Sequence, residues 1–343
     1  MVSTEPVEMS PDSSWYCAED QLLREEERIF LKQWHFVCPA SALASPGDIV
    51  TDSLLRRSFF IRRSEDGTIR AFHNICRHRG GPLVRSEQRK CRSLRCLYHG
   101  WEYDETGLLV RTPQFNYSSK AGFDYADFPL YPLQASEWRG LVFVNFDIAA
   151  PPISTFLGDL PTLLGNFDVL SFGKPVKKVF RFLCNWKLYV ENWLESYHLP
   201  WVHAGLSSDV SVAYYSVTIH DRVVEHTTGR RKSDSIYDGF WAWLAPNLAW
   251  NFYDCGFSLE RMMPMGANET EVQYTFLFRD ESPETERLSA MQMTERVTKE
   301  DGEMCEAVYR SMQSGIFGQG LLSPRHEAAV SYFQVYLRQM MGE

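Results

Sequence analysis

Hydrophobic positions change their period twice along the chain. Between Ala18 and Trp34 they recur at helical spacing: Leu23, Phe30 and Trp34 with Leu22 and Ile29 beside them, and Glu25, Glu26 and Glu27 on the remaining surface. That pattern predicts an amphipathic helix whose acid run is a solvated face. Strand signals follow. Phe59 to Arg63 stops at Asp66-Gly67, Tyr103 to Leu109 turns at Thr106-Gly107, and Leu141 to Phe146 is a short apolar run of the buried-strand type. Ala149-Ala150-Pro151-Pro152 cannot extend that strand, so a domain boundary belongs there. Further on, Val272, Tyr274, Phe276 and Phe278 alternate as in a strand with one buried face. A long helical pattern begins after Pro283, and another runs from Glu327 towards Met341 with Val330, Phe333 and Leu337 inward. The chain shows neither an internal repeat nor a low-complexity tract. The pattern divides it into a helical arm (1–37), a strand-rich domain (38–150) and a mixed domain (151–343), an α+β protein.

Composition narrows the class. The 343 residues carry 35 basic and 44 acidic side chains, a net charge of −9, with no dense Lys/Arg cluster, which argues against nucleic acid as a partner. No apolar run reaches the ~18 residues of a membrane span. The first ten residues lack a basic-then-apolar leader, so a cytoplasmic location is the expectation. With 22 Phe, 16 Tyr and 10 Trp the chain has too many rings to stay disordered. Its eight cysteines are expected to be free thiols or metal ligands, with Cys17, Cys38, Cys91, Cys184, Cys255 and Cys305 as packing residues.

Cys76 and Cys96 keep different company. Cys76-Arg77-His78 is followed, after 17 residues, by Cys96-Leu97-Tyr98-His99. Each short loop offers one thiolate and one imidazole. A tetrahedral zinc site could use the same four donors, but zinc fingers usually pair Cys with Cys and His with His. One of each per loop suits a two-iron, two-sulfur cluster with both Cys on one iron and both His on the other. Gly80-Gly81 and Gly100 follow the two histidines, and glycines there would let backbone N–H groups approach the cluster sulfurs.

A second constellation spans Asn185 to His203. Residues five apart on a helix point about 140° away from each other, so His198 and His203 could not share a metal on a regular helix. Pro200 is expected to break the helix after His198 and swing His203 back. Two neutral imidazoles and one carboxylate on one face suit Fe(II) that activates oxygen. Asp301 is the candidate carboxylate. Met293, Val297, Met304 and Val308 place it on the apolar stripe of its helix, where an acid needs a cation. Glu300 is the runner-up, rotated about 100° off that stripe.

The first motif resembles the Rieske domain, whose signature is C-x-H, a spacer, then C-x-x-H. The second resembles the catalytic domain of Rieske non-heme iron oxygenase α subunits. Their pattern E-N-x-x-(D/E)-x-Y-H-x4-H is matched by Glu191, Asn192, Glu195, Tyr197, His198 and His203, and their late E-D pair by Glu300-Asp301. The resemblance implies an all-β Rieske domain and a catalytic domain with a helix-covered antiparallel sheet of the helix-grip type. It implies a Rieske 2Fe-2S cluster on Cys76, His78, Cys96 and His99 and a mononuclear iron on His198, His203 and Asp301. It also implies a ring of three subunits, in which Glu195 bridges a cluster histidine of one subunit to an iron histidine of the next. Most relatives carry Asp at that position; Asn192 sits beside it as a further catalytic candidate. The chain has no nucleotide fingerprint, since the glycines of Gly315-Ile316-Phe317-Gly318-Gln319-Gly320 are in the wrong order and no strand leads into them. Electrons would come from a separate flavin- or ferredoxin-type reductase drawing on NAD(P)H, and oxygen from O2.

Glu at the bridging position resembles the branch that oxidises quaternary ammonium and N-methyl compounds, and Ala245 to Asp254 resembles its pocket strand. A methylammonium cation prefers aromatic walls. Trp193, Trp250, Phe252 and Tyr253 are the rings near the motifs. An aromatic substrate to be hydroxylated or O-demethylated would use such walls too. A Rieske electron carrier without catalytic iron is the reading from another class.

Overall fold

The computed structural model describes residues 8–91, 93–115, 123–165, 169, 172–203, 215–228 and 236–342. Contacts divide the chain into two compact units, Leu31–Ile153 with Asp168–Leu170, and Met1–Phe30 with Ser154–Phe167 and Ser171–Glu343. No helix among the described residues is long and apolar enough to cross a membrane.

The unit that starts at Leu31 is built of strands. β1 (Trp34–Pro39), β2 (Ile49–Leu54), β3 (Arg57–Arg63), β4 (Ile69–His73), β8 (Pro132–Trp138) and β9 (Leu141–Asn145) form a six-stranded sheet in the order β1-β9-β8-β4-β3-β2. A three-stranded sheet, β5 (Leu94–Arg95), β6 (Glu102–Tyr103) and β7 (Leu109–Arg111), carries the second Cys-His loop at its β5–β6 turn. Phe60, Phe72, Leu83, Leu94, Trp101 and Tyr103 belong to one buried cluster with Cys76 and Cys96. Asn74 braces the first loop: its Nδ2 donates to Val84 O at 2.6 Å and its Oδ1 accepts from Leu83 N at 2.9 Å.

In the other unit β10 (Val176–Phe182), β11 (Tyr215–Ile219), β12 (Val223–Thr228), β13 (Tyr237–Leu244), β14 (Leu248–Tyr253), β15 (Gly256–Gly266) and β16 (Glu269–Phe278) make an antiparallel sheet ordered β10-β16-β15-β14-β13-β12-β11. Its chain order also includes α1 (Ser14–Cys17), α2 (Glu19–Arg28), α3 (Ile153–Leu157), α4 (Leu160–Leu163), α5 (Trp186–Leu194), α6 (Leu199–Val202), α7 (Glu284–Met312) and α8 (Ala328–Met341). The central helix α5 packs on α7, α8 and β15. Val330, Phe333 and Leu337 of α8 are buried, as their spacing predicts.

The N-terminal helix departs from expectation. It ends at Arg28, and Trp34 opens a strand instead of closing the helix. Its acid run is only partly a solvated face: Glu27 is exposed, but Glu25 and Glu26 are buried, whereas Leu23 is half exposed. The reason is a buried cation. Glu25 Oε1 pairs with Lys187 Nζ, and its Oε2 accepts from Trp186 Nε1 at 2.7 Å, so the inward face of α2 is set by charge pairing with α5. By these contacts residues 1–30 group with the helix-and-sheet unit, where sequence patterning set apart an arm of 1–37.

Candidate active site

Two matching loops define the first site. Cys76 O accepts from Gly80 N at 3.0 Å, and Cys96 O accepts from Gly100 N at 3.0 Å, each loop closing on a glycine at φ +69° or +71° that a side chain would strain. The thiols of Cys76 and Cys96 are buried neighbours, while His78 and His99 lie nearer the surface. The imidazole Nδ1 atoms stand 3.1 Å apart, and His78 stacks on Trp101 with ring centroids 4.8 Å apart. Two nitrogens ~2.1 Å from a common metal would be separated by about this distance. A Cβ added at Gly81 would stand 3.0 Å from Cys96 Sγ, so the loops form a close cradle. The N–H groups of Gly80 and Gly100 go to cysteine carbonyls, and the thiol sulfurs meet Tyr103 OH (3.2 Å from Cys76) and the backbone N–H of Tyr98 (3.5 Å from Cys96). Burial pushes the Cys76 thiol up, as an unmetallated thiol in apolar surroundings must be. Among the described residues these donors do not form a group whose ligand atoms all lie within 4.8 Å of one another, the compact arrangement a single tetrahedral zinc needs. Sulfur paired with sulfur and nitrogen with nitrogen fits a two-iron cluster.

The second site lies between α5, α6 and α7. Asn185 caps α5 by accepting from Lys187 N at 3.1 Å, and the helix stops at Leu194 because Glu195 turns extended. Pro200 therefore breaks nothing. It sits in the first turn of α6, where a missing N–H is harmless; His198 caps that helix at one end and His203 at the other. The short helix, not a kink, turns the two imidazoles together, with ring centroids 5.2 Å apart. Asp301 reaches in from α7: its Oδ1 lies 2.9 Å from His203 Nε2 and 3.4 Å from His198 Nε2. Among the described residues, these three form the one group of His, Cys, Asp or Glu whose ligand atoms all lie within 4.8 Å.

The stripe that presents Asp301 is not the anticipated one. Met304 and Val308 are exposed, and the buried line of α7 is Ala290, Thr294, Thr298, Gly302, Cys305 and Tyr309. Small residues are used there because α7 lies close to β10. At Gly302 a Cβ would meet the Phe182 ring at 2.0 Å. Asp301 borders this line and points to the histidines.

Acids behind the histidines set their orientation. Glu195 Oε1 lies 2.5 Å from His198 Nδ1, and Glu300 Oε2 lies 2.6 Å from His203 Nδ1. With Nδ1–H donating to each glutamate, both Nε2 lone pairs are directed at the point Asp301 faces. Glu300, the runner-up ligand by sequence, thus has the orienting position. Asn192 Nδ2 donates to Asp301 Oδ1 at 2.7 Å. Burial by itself would lower the His198 pKa, but the negative charges of Asp301 and Glu195 beside the ring outweigh it and raise it to about 9. Burial would raise Asp301, yet the two histidines draw it down to about 2. The buried carboxylate thus demands a positive charge. His198 Nε2 is buried without a hydrogen bond among the described residues, as a metal-directed donor would be.

Beside the triad is a cavity. Trp193 and Tyr253 line it as expected, but Trp250 and Phe252 do not. Successive residues of β14 point to opposite faces of the sheet, so Asn251 and Tyr253 face the cavity while Trp250 and Phe252 turn away. Tyr215, Tyr237, Trp241, Tyr274 and Glu260 complete much of the wall. Strand alternation around Glu260 on β15 could have signalled that last residue. Behind Trp193, His226 is fully buried, bonded through Nδ1 to Tyr215 OH at 2.8 Å, and burial lowers its pKa to about 3, so it is neutral.

A buried Cys pair with a surface His pair in one unit and a two-histidine, one-carboxylate triad in the other define an oxygen-using iron enzyme. Comparisons agree. Residues 33–125 match the Rieske [2Fe-2S] domain, and residues 174–343 match the ring hydroxylating alpha subunit catalytic domain. Choline monooxygenase of Arabidopsis thaliana chloroplasts is 28% identical over 91% of this chain and 78% of its own. The carnitine monooxygenase oxygenase subunit of Escherichia coli K12 is 28% identical over 97% of this chain and 96% of its own. The crystal structure of the quaternary ammonium Rieske monooxygenase CntA with an inhibitor superposes with a TM-score of 0.87, at 26% identity over 99% of this chain and 100% of CntA. The chain belongs to the Rieske non-heme iron oxygenases, as an α subunit that uses a Rieske 2Fe-2S cluster and a mononuclear iron.

Proposed function

We propose that this protein is the oxygenase component of a system that hydroxylates a quaternary ammonium or N-methylated amine, leading to demethylation or C–N cleavage. The observation that carries this reading is the cavity: its lining holds both the two-histidine, one-carboxylate triad and six Trp and Tyr rings. Choline monooxygenase and carnitine monooxygenase, similar over nearly the whole chain, are named for cations of this class.

In this reading Cys76, Cys96, His78 and His99 hold the cluster, and His198, His203 and Asp301 hold the iron. The cluster supplies single electrons and the mononuclear iron supplies oxygen activation. The chain's own residues do the rest. Glu195 and Glu300 hold the Nδ1 protons and keep both Nε2 atoms available. Asn192 keeps Asp301 aimed. The rings exclude water and face a methylammonium group, each such contact contributing about 0.5–2 kcal/mol. Three subunits form a ring in which Glu195 also reaches a cluster histidine of the neighbour; its position on His198 Nδ1 supports that role. Electrons come from a separate flavin- or ferredoxin-type reductase fed by NAD(P)H. The setting is the cytoplasm, a reducing compartment that suits a chain whose eight cysteines form no disulfide, two of them being cluster ligands in this reading.

The test is turnover of choline, L-carnitine, γ-butyrobetaine and benzoate by iron-loaded protein with a compatible reductase. Oxygen uptake matched by product from one of the ammonium compounds is expected. Peroxide alone from every ammonium compound, with coupled product from the arene, would overturn the substrate assignment.

A further inference from the structure

Glu260 has no place in the iron chemistry, and its position asks for a ligand. It lies in the middle of β15, pairs across the sheet with Tyr274, and is 2% exposed. Its Oε2 accepts from Asn251 Nδ2 at 3.0 Å and from Trp193 Nε1 at 3.2 Å. Among the described residues its Oε1 is buried with only the Tyr274 hydroxyl to favour its charge, a neutral partner and not a cation. The other acids of the cavity wall, Glu195 and Asp301, are already bonded to His198 and His203. No Lys or Arg is among the described residues that line the cavity. A buried carboxylate without a cationic partner is unfavourable unless something brings the charge. Burial raises its pKa to about 7, the response of an acid that lacks its counter-charge. Tyr253, Tyr237, Trp193 and Trp241 line the same space. An acid set among rings is the recognition chemistry of an alkylated ammonium ion.

We propose that Glu260 is the counter-ion for the substrate's ammonium group and selects a cation over a neutral molecule of the same shape. The inference rests on the substrate class argued above. It also assigns an orientation, with the charged nitrogen held towards β15 and an oxidisable carbon directed to the triad.

The experiment compares choline with its uncharged isostere 3,3-dimethylbutan-1-ol as ligands of the iron-loaded full chain, by calorimetric titration of wild type, Glu260→Gln and Glu260→Asp. Wild type is expected to bind choline at least 30-fold more tightly than the isostere. Glu260→Gln keeps the shape and the acceptor for Asn251 and Trp193, and should bring the ratio to within about threefold of one, while Glu260→Asp regains part of it. An unchanged ratio in Glu260→Gln, with full iron content and a native circular-dichroism spectrum, would overturn the role of Glu260 alone. Wild type that fails to prefer choline, L-carnitine or γ-butyrobetaine over uncharged analogues would overturn the substrate class and the proposal with it. If Glu260→Gln does not fold, Glu260→Asp decides: a choline preference as strong as wild type contradicts a counter-ion placed by distance.

Discussion

Removing Glu25 tests whether the N-terminal helix is a structural part of the catalytic unit. Lys187 is fully buried at the start of α5, five residues before Asn192, and Glu25 is the anion against it. The ammonium also lies 5.4 Å from the Trp15 ring centroid and 5.8 Å from that of Trp186, so no solvent replaces a lost partner. Breaking one side of a buried pair typically costs about 3–5 kcal/mol, because the remaining charge is left desolvated. At roughly 2–4 °C per kcal/mol for a unit of this size, Glu25→Ala should lower the melting temperature by about 6–20 °C. Glu25→Ala/Lys187→Met should recover most of that loss, since no charge is then stranded. The pH dependence follows from the lysine. Burial lowers the folded pKa of Lys187 below its usual value near 10.5. Between those two values the unfolded chain binds a proton that the folded chain releases, so stability rises with pH and levels off above the unfolded pKa. In Glu25→Ala the folded pKa falls further and the rising window widens towards neutral pH. Melting curves followed by circular dichroism from pH 6 to pH 10 read all three effects. A single variant within 1 °C of wild type at every pH would mean that the acids of α2 face water, as their sequence pattern suggests, and would refute the pairing.

Three other perturbations have defined outcomes. Gly302→Ala places a methyl group against the Phe182 ring; overpacking should destabilise by about 1–3 kcal/mol and weaken iron retention through the adjacent Asp301, and Phe182→Leu in the same chain should restore much of both. Glu191, which accepts from Tyr16 OH at 2.9 Å and Gln334 Nε2 at 3.1 Å, has its pKa raised by burial from 4.5 to about 7. The folded state holds the proton longer, so stability falls as pH rises between these values, by on the order of 3 kcal/mol at most; Glu191→Gln should make the fall of denaturant midpoints between pH 5 and pH 7.5 shallower, leaving the share from Glu260, and an unchanged slope would contradict the assignment. Glu195→Gln should retain iron yet slow cluster-to-iron electron transfer at least tenfold in single-turnover measurements; an unaltered rate with both metals bound would remove Glu195 from the electron path.

The parts of this molecule that were legible in its sequence are those written in local pattern. Phe59–Arg63, Leu141 to Phe146, Val272 to Phe278 and the helices after Pro283 and Glu327 stand where periodicity puts them. The Cys-His pairs were readable because ligands on short loops carry their geometry in their spacing; the His198–His203 pair was readable as a pair, but the short helix that joins them was not. What failed depended on partners distant in sequence. No feature of Glu25 announces Lys187, 162 residues away. The inward face of α7 follows from the close approach of Phe182 to Gly302, which selects small residues where apolar patterning selects Met304 and Val308. Trp250 and Phe252 are rings near a motif in sequence, but the one-residue alternation of β14 gives the cavity to their neighbours Asn251 and Tyr253. Glu260 follows Leu259 and precedes Arg261, and it is the strand alternation of β15, not local apolar pattern, that turns it to the face shared with Asn251 and Tyr253.

Metal analysis tests the central claim most directly. Anaerobically reconstituted protein should contain three irons and two acid-labile sulfides per chain, with the visible bands of an oxidised Rieske cluster. His198→Ala/Asp301→Ala should drop to two irons with that spectrum intact. Wild-type protein that is colourless and zinc-loaded, or that holds two irons and is unaltered by the double substitution, would contradict the account.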